Sequence, residues 1–118
     1  MLFNTNCKAE ENNIKYYSDE MGILSLMYHR FNENKYPSTN INMDIFKEQI
    51  KIIKDLKYSF FDPNDLEKKF DITKTEKKIL ITIDDAFYSF YEYAWPFLKK
   101  NNIPFILFVS TEAIGKNG

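Results

Sequence analysis

One cysteine, three glycines and a single histidine are the shortages that first constrain this chain of 118 residues. Cys7 has no second cysteine to pair with, so no intrachain disulfide can form. Three glycines leave no glycine-rich loop to wrap a phosphate. No apolar run approaches the roughly 20 residues of a membrane-spanning helix. Positive charge is not in excess either: the formal net charge is −1, and Lys and Arg are scattered rather than gathered in a stripe. Nucleic acid is therefore not an expected partner. What the chain has in quantity is aromatic side chains, 11 Phe, 8 Tyr and one Trp. These read either as a core built of large rings or as a surface on which sugars stack.

The length is that of one small domain. Residues 1–21 are polar and rich in Asn and Glu, and read as a flexible lead-in ahead of a domain over 22–118. The first residues lack a basic start and an apolar stretch, so they are not a complete signal peptide. Cys7-Lys8-Ala9 nevertheless carries small residues at the −3 and −1 positions of a cleavage site. Two readings stay open: the remnant of a signal peptide cut near Ala9, or an ordinary tail.

The most informative stretch is Ile79-Leu80-Ile81-Thr82-Ile83-Asp84-Asp85-Ala86, an apolar strand that runs straight into two adjacent carboxylates. A buried strand delivers its last side chains to the rim where α/β enzymes place their chemistry. One carboxylate there can hold a metal while the other takes a proton. The plain alternative is that Asp84 and Asp85 end a strand and cap the next helix. A second apolar strand, Ile23 to Tyr28, reads as buried and ends in Tyr28-His29-Arg30. His29 then either lines the same rim or is a structural residue bonded to backbone.

The intervening segments read as follows. Asn32 to Asn42 is a polar loop. Asn42 is an N-cap, with Asp44 in the favourable first turn. From Asp44 to Lys57 the residues Phe46, Ile50, Ile53 and Leu56 recur at helical spacing, with Lys47, Glu48, Lys51 and Lys54 outside. Tyr58 to Phe61 is a short strand, and Asp62-Pro63 opens a short helix through Phe70. A charged loop covers 71–78. Phe87 to Lys100 is a helix interrupted or kinked near Pro96, with Asn102 as its stop. Phe105 to Ser110 is the last strand. Strands alternating with helices give a parallel α/β architecture.

Three segments in order carry a resemblance: Met27-Tyr28-His29-Arg30-Phe31, then Thr82-Ile83-Asp84-Asp85-Ala86, then Ala94-Trp95-Pro96 through Ile103-Pro104 into Phe105 to Thr111. From about Ile23 onward the chain resembles the polysaccharide deacetylases, the NodB-homology domains. The first segment is most similar to the branch acting on poly-N-acetylglucosamine. The family's Thr-Phe-Asp-Asp-Gly motif has Ile83 in place of Phe and Ala86 in place of Gly. If that last position needs positive φ, Ala costs roughly 1 kcal/mol there.

The resemblance implies the front part of a distorted (β/α) barrel, interrupted before the barrel closes. It implies metal-dependent hydrolysis of N-acetyl groups on polysaccharides built from N-acetylglucosamine-type sugars, with an extracytoplasmic location. Carried over by position, Asp84 is the general base and Asp85 a ligand of a divalent metal, zinc being expected. Tyr28 and His29 would line the sugar site. The family's paired metal-binding histidines have no counterpart, because His29 is the only histidine. Weak or no metal binding and no activity are therefore expected of this chain. The alternatives are a non-catalytic carbohydrate-binding or scaffolding domain, and an unrelated parallel α/β domain in which the Asp pair is a cap.

Overall fold

The computed structural model describes residues 22–67 and 76–114. The lead-in over 1–21, with the cleavage-site reading at Ala9, lies outside the described residues. So do most of the 71–78 loop and the end of the helix expected through Phe70.

In chain order the elements are β1 (Ile23–Tyr28), β2 (Arg30–Phe31), β3 (Asn40–Ile41), α1 (Met43–Asp55), β4 (Ser59–Phe60), a 3₁₀ turn at Pro63–Asp65, β5 (Lys78–Ile83), a π-helical stretch at Phe90–Ala94, α2 (Trp95–Lys100), β6 (Phe105–Leu107) and a 3₁₀ turn at Thr111–Ala113. The apolar run at 78–83 is the central strand of an all-parallel sheet. β1 pairs with it from end to end, Ile23 opposite Lys78 and Tyr28 opposite Ile83. β4 pairs with the start of β5 and β6 with its end. Carbonyls along one edge of β5 and of the residue before it decide this. Lys77 and Ile79 accept from β4 and Phe61, Ile83 accepts from Phe108, and β1 lies on the opposite edge. The result is mixed α/β, with every observed strand pair parallel.

In-register partners of a parallel pair share a face. Leu24, Leu26 and Tyr28 therefore lie on the same side as Ile79, Ile81 and Ile83. That side carries the core, in which Ile81, Ile83, Phe31, Phe46 and Leu98 are fully buried. Rings fill it edge to face: Phe46 meets Tyr28 at 4.9 Å and Phe31 at 5.2 Å, and Phe105 meets Phe90 at 5.3 Å and Trp95 at 5.7 Å. Such pairs add about 0.5–1.5 kcal/mol each beyond the area they bury. Among the described residues most of the aromatic rings thus serve the core. Tyr88, Tyr91 and Phe108 are the clear exceptions and stand out to solvent.

The expected caps are present. The Asn42 side chain accepts from the Asp44 amide at 2.8 Å, and Asp62 does the same for Asn64 at 2.9 Å, with Pro63 following. Asn102 has φ 50° and closes α2 with the Ile103 amide reaching back to the Leu98 carbonyl. This is the left-handed stop that Asn tolerates. The interruption at Pro96 takes the form of the π-helical stretch, in which the Trp95 amide donates to the Phe90 carbonyl. Proline lacks a donor and crowds the carbonyl four residues back, and the widened turn accommodates both defects.

Four expectations need correction. β1 is not a fully buried strand: Leu24 is 49% and Met27 60% exposed, because among the described residues nothing pairs with its outer edge. The 32–42 loop contains β3, whose ladder with β2 is a long-range pairing that a polar sequence does not announce. Leu56 is not a core residue. The helix ends at Asp55 and Lys57 turns left-handed at φ 64°, which carries Leu56 outward, while Met43 is buried at the other end. Finally, β6 ends at Leu107, and Phe108, Val109 and Ser110 are exposed.

Candidate functional site

The β1–β5 ladder is paired to the last residue of each strand, Tyr28 opposite Ile83, and the Asp84 amide donates to the Tyr28 carbonyl at 2.8 Å. His29 and Asp84 directly follow these paired residues, so both sit at the C-terminal ends of neighbouring parallel strands. The two segments singled out from sequence therefore meet on one rim. Both side chains are half-buried, whereas Asp85 is exposed. Among the described residues, no hydrogen bond or ion pair engages the side chains of His29, Asp84 or Asp85.

After Asp84 the backbone turns sharply. Asp85 has φ 66° and Ala86 φ 51°, two consecutive left-handed residues with a Cβ. Each such conformation costs roughly 1–2 kcal/mol. Asp85 is exposed where Asp84 is half-buried, so the two carboxylates have different surroundings. The helix that follows begins at residue 88, so neither aspartate is its N-cap, and Ser89 makes no capping hydrogen bond. The plain cap reading of the pair fails on this geometry.

Tyr28 stands apart from the carboxylates. Its ring packs on Phe46, and its hydroxyl donates to Gln49 Oε1 at 2.8 Å. Burial pushes that hydroxyl above its ordinary pKa. Its ring and backbone also border a polar depression of about 240 Å³ lined with Met27, His29, Arg30, Ser38, Thr39, Asn40 and Ile41. Neither aspartate lines this depression.

A neighbouring cluster was not legible in the sequence. The Arg30 guanidinium lies 3.3 Å from the centroid of the Phe87 ring and 4.2 Å from that of Tyr36. Arg30 Nη1 donates to Glu33 Oε2 at 2.8 Å, and the Ser89 hydroxyl donates to Glu33 Oε1 at 2.6 Å. Ser89 Oγ in turn accepts from the Phe31 amide at 3.3 Å. The Ser89 hydrogen bond, with the adjacent Arg30 charge, outweighs partial desolvation and holds the Glu33 carboxyl below the usual glutamate range. The only sequence signal was the Arg after His29. Its partners are 3, 6 and 57 positions away, and no periodicity links them.

As a metal centre the site is short of donors. Among the described residues no three His, Cys, Asp or Glu side chains cluster, and a catalytic zinc has three protein ligands as a rule.

No protein-family model matches the chain, and no curated protein matches it. Solved structures do. IcaB from Ammonifex degensii is 29% identical with a TM-score of 0.70, the match covering 82% of this chain and 42% of that one. The Streptococcus pyogenes deacetylase PplD, solved in complex with acetate, is 28% identical with a TM-score of 0.63, covering 77% and 43%. A polysaccharide deacetylase from Bacillus cereus shares the fold at 21% identity and a TM-score of 0.63, covering 81% and 32%. The matches thus span less than half the length of these structures. The chain thus shares its fold with these structures, of which PplD is a deacetylase and the Bacillus cereus protein a polysaccharide deacetylase.

Proposed function

We propose that this chain is the front part of a polysaccharide N-deacetylase of the poly-N-acetylglucosamine branch, and that its sheet is the beginning of an incomplete (β/α) barrel. The observation that carries the reading is the rim at the end of β1 and β5. There His29 and Asp84 directly follow the paired strand ends Tyr28 and Ile83, and Asp85 follows in a left-handed turn. The likeness to PplD supports it.

In this reading the substrate is an N-acetylated glycan lying across the rim. Asp84 is the base that takes the proton from the water attacking the acetamide carbonyl, a role that needs a carboxylate within one hydrogen bond of that water. Asp85 is a ligand of a divalent metal, zinc in the first instance. His29, at the same rim as Asp84, lines the sugar site together with Tyr28. Among the described residues the donors do not complete a zinc site, and Asp85 is the ligand this reading assigns. The proposed location is extracytoplasmic. Among the described residues no helix is long and apolar enough to cross a membrane.

A titration of the chain with N-acetylglucosamine oligomers, followed by amide chemical shifts, tests the site. Perturbations at residues 28–30 and 84–87 are expected, and perturbations confined to the other end of the sheet would refute the reading. Calorimetry with zinc at neutral pH is expected to show no tight site, and the chain is expected to release no acetate from the oligomers. A tight one-to-one site abolished by Asp85→Asn would overturn the first expectation. Acetate release abolished by Asp84→Asn would overturn the second. The short donor set also favours a second reading, a glycan-binding domain without turnover, which the same acetate measurement would exclude.

A further inference from the structure

Two successive left-handed residues without glycine persist only where the surroundings hold them. At Asp85 and Ala86 those surroundings come from one short stretch, residues 28–33. Before the turn, the Asp84 amide is bonded to the Tyr28 carbonyl. After it, the Phe87 ring lies under the Arg30 guanidinium at 3.3 Å. Two residues on, buried Ser89 is tied to Glu33 and to the Phe31 amide. Arg30 is itself held in place. The Tyr36 ring also lies against it at 4.2 Å, and Glu33 receives its Nη1. The guanidinium is thus held against the Phe87 ring, and Phe87 is the first residue beyond the strained pair.

We propose that Arg30 is a positioning residue that, through Phe87, holds the Asp84–Asp85–Ala86 turn in its left-handed form and so aims the two carboxylates. Its usefulness to catalysis rests on the deacetylase reading above, but its effect on the turn does not. The flat face of the guanidinium is the working part. Lysine keeps the charge and can still reach Glu33, but has no plane to lay on the ring. Glu33 acts one step further out, orienting Arg30 and anchoring Ser89.

The test is a set of variants of the chain, Arg30→Ala, Arg30→Lys, Phe87→Ala and Phe87→Tyr, read without substrate. The measured quantities are the amide–Hα couplings of Asp85 and Ala86 and their intraresidue amide–Hα NOEs, which together report the sign of φ. Arg30→Ala, Arg30→Lys and Phe87→Ala are expected to move the couplings and NOEs away from left-handed values. Phe87→Tyr, which keeps the ring, is expected to restore wild-type couplings. Unchanged couplings in Arg30→Ala would overturn the proposal. So would an Arg30→Lys variant indistinguishable from wild type. Glycan binding followed separately on the wild-type chain distinguishes failure of this proposal from failure of the deacetylase reading.

Discussion

Ala86 is the residue at which the chain departs most plainly from a comfortable backbone. Its φ of 51° is one that glycine adopts freely and alanine resists. Ala86→Gly relieves roughly 1–2 kcal/mol of strain and returns part of it as chain entropy in the unfolded state. A net stabilisation of about 0.5–1 kcal/mol is expected, read as a higher urea midpoint with an unchanged slope. Glu33 gives a second prediction at this scale. Its folded pKa lies below the ordinary value, because Ser89 and Arg30 favour the carboxylate. A depressed carboxylate contributes stability that is fully present above the unfolded pKa, about 4.3, and is lost as pH falls through the lower folded value. Melting temperatures measured from pH 6 downward should therefore fall more steeply for the native chain than for Glu33→Gln. The two curves should converge at the acid end, and parallel curves would contradict the assignment.

At the scale of elements, α1 and the helical stretch over 88–100 owe their placement to rings more than to propensity. Phe46 is fully buried and touches the rings of Tyr28, Phe31 and Phe97. Phe46→Ala removes the piece that joins both helices to the sheet and should cost about 3–5 kcal/mol in chemical denaturation, enough to unfold a chain of this size. Asn42→Ala, which removes only the cap to the Asp44 amide, should cost about 1 kcal/mol by the same measurement. The elements were legible where one short-range cause sufficed. Asn42, Asp62-Pro63, Asn102 and the period of Phe46, Ile50 and Ile53 each act within a turn or two of chain. Leu56 was misread for the same reason. It continues the apolar period, yet the left-handed Lys57 ends the helix first. β3 was missed because its partner lies ten residues back and its side chains carry no alternation.

At the scale of the whole molecule, the helices cover one face of the sheet. Among the described residues the outer edge of β1 is unpaired, and Met27 stands out on the other face. An apolar depression of about 380 Å³ between β1 and α1, lined by Leu26, Met27, Tyr28, Gln49, Ile52 and Ile53, adds to the exposed apolar surface. Unpaired edges and apolar patches promote association. Sedimentation at increasing concentration should show self-association of the isolated chain, and Met27→Lys should weaken it. A strictly monomeric native chain with a sharp thermal transition would contradict this.

The sequence by itself determined the parallel α/β class, the central strand at 79–83, the principal caps and the chemistry present at the two strand ends. All of these follow from local pattern and from which side chains exist. Only the tertiary structure decided that His29 and Asp84 share one rim, because that depends on the register between strands some fifty residues apart. It alone decided that Asp85 and Ala86 are left-handed and that Arg30 lies on Phe87. Register and ring stacking arise from many weak long-range contacts satisfied together, and no single stretch of chain encodes them.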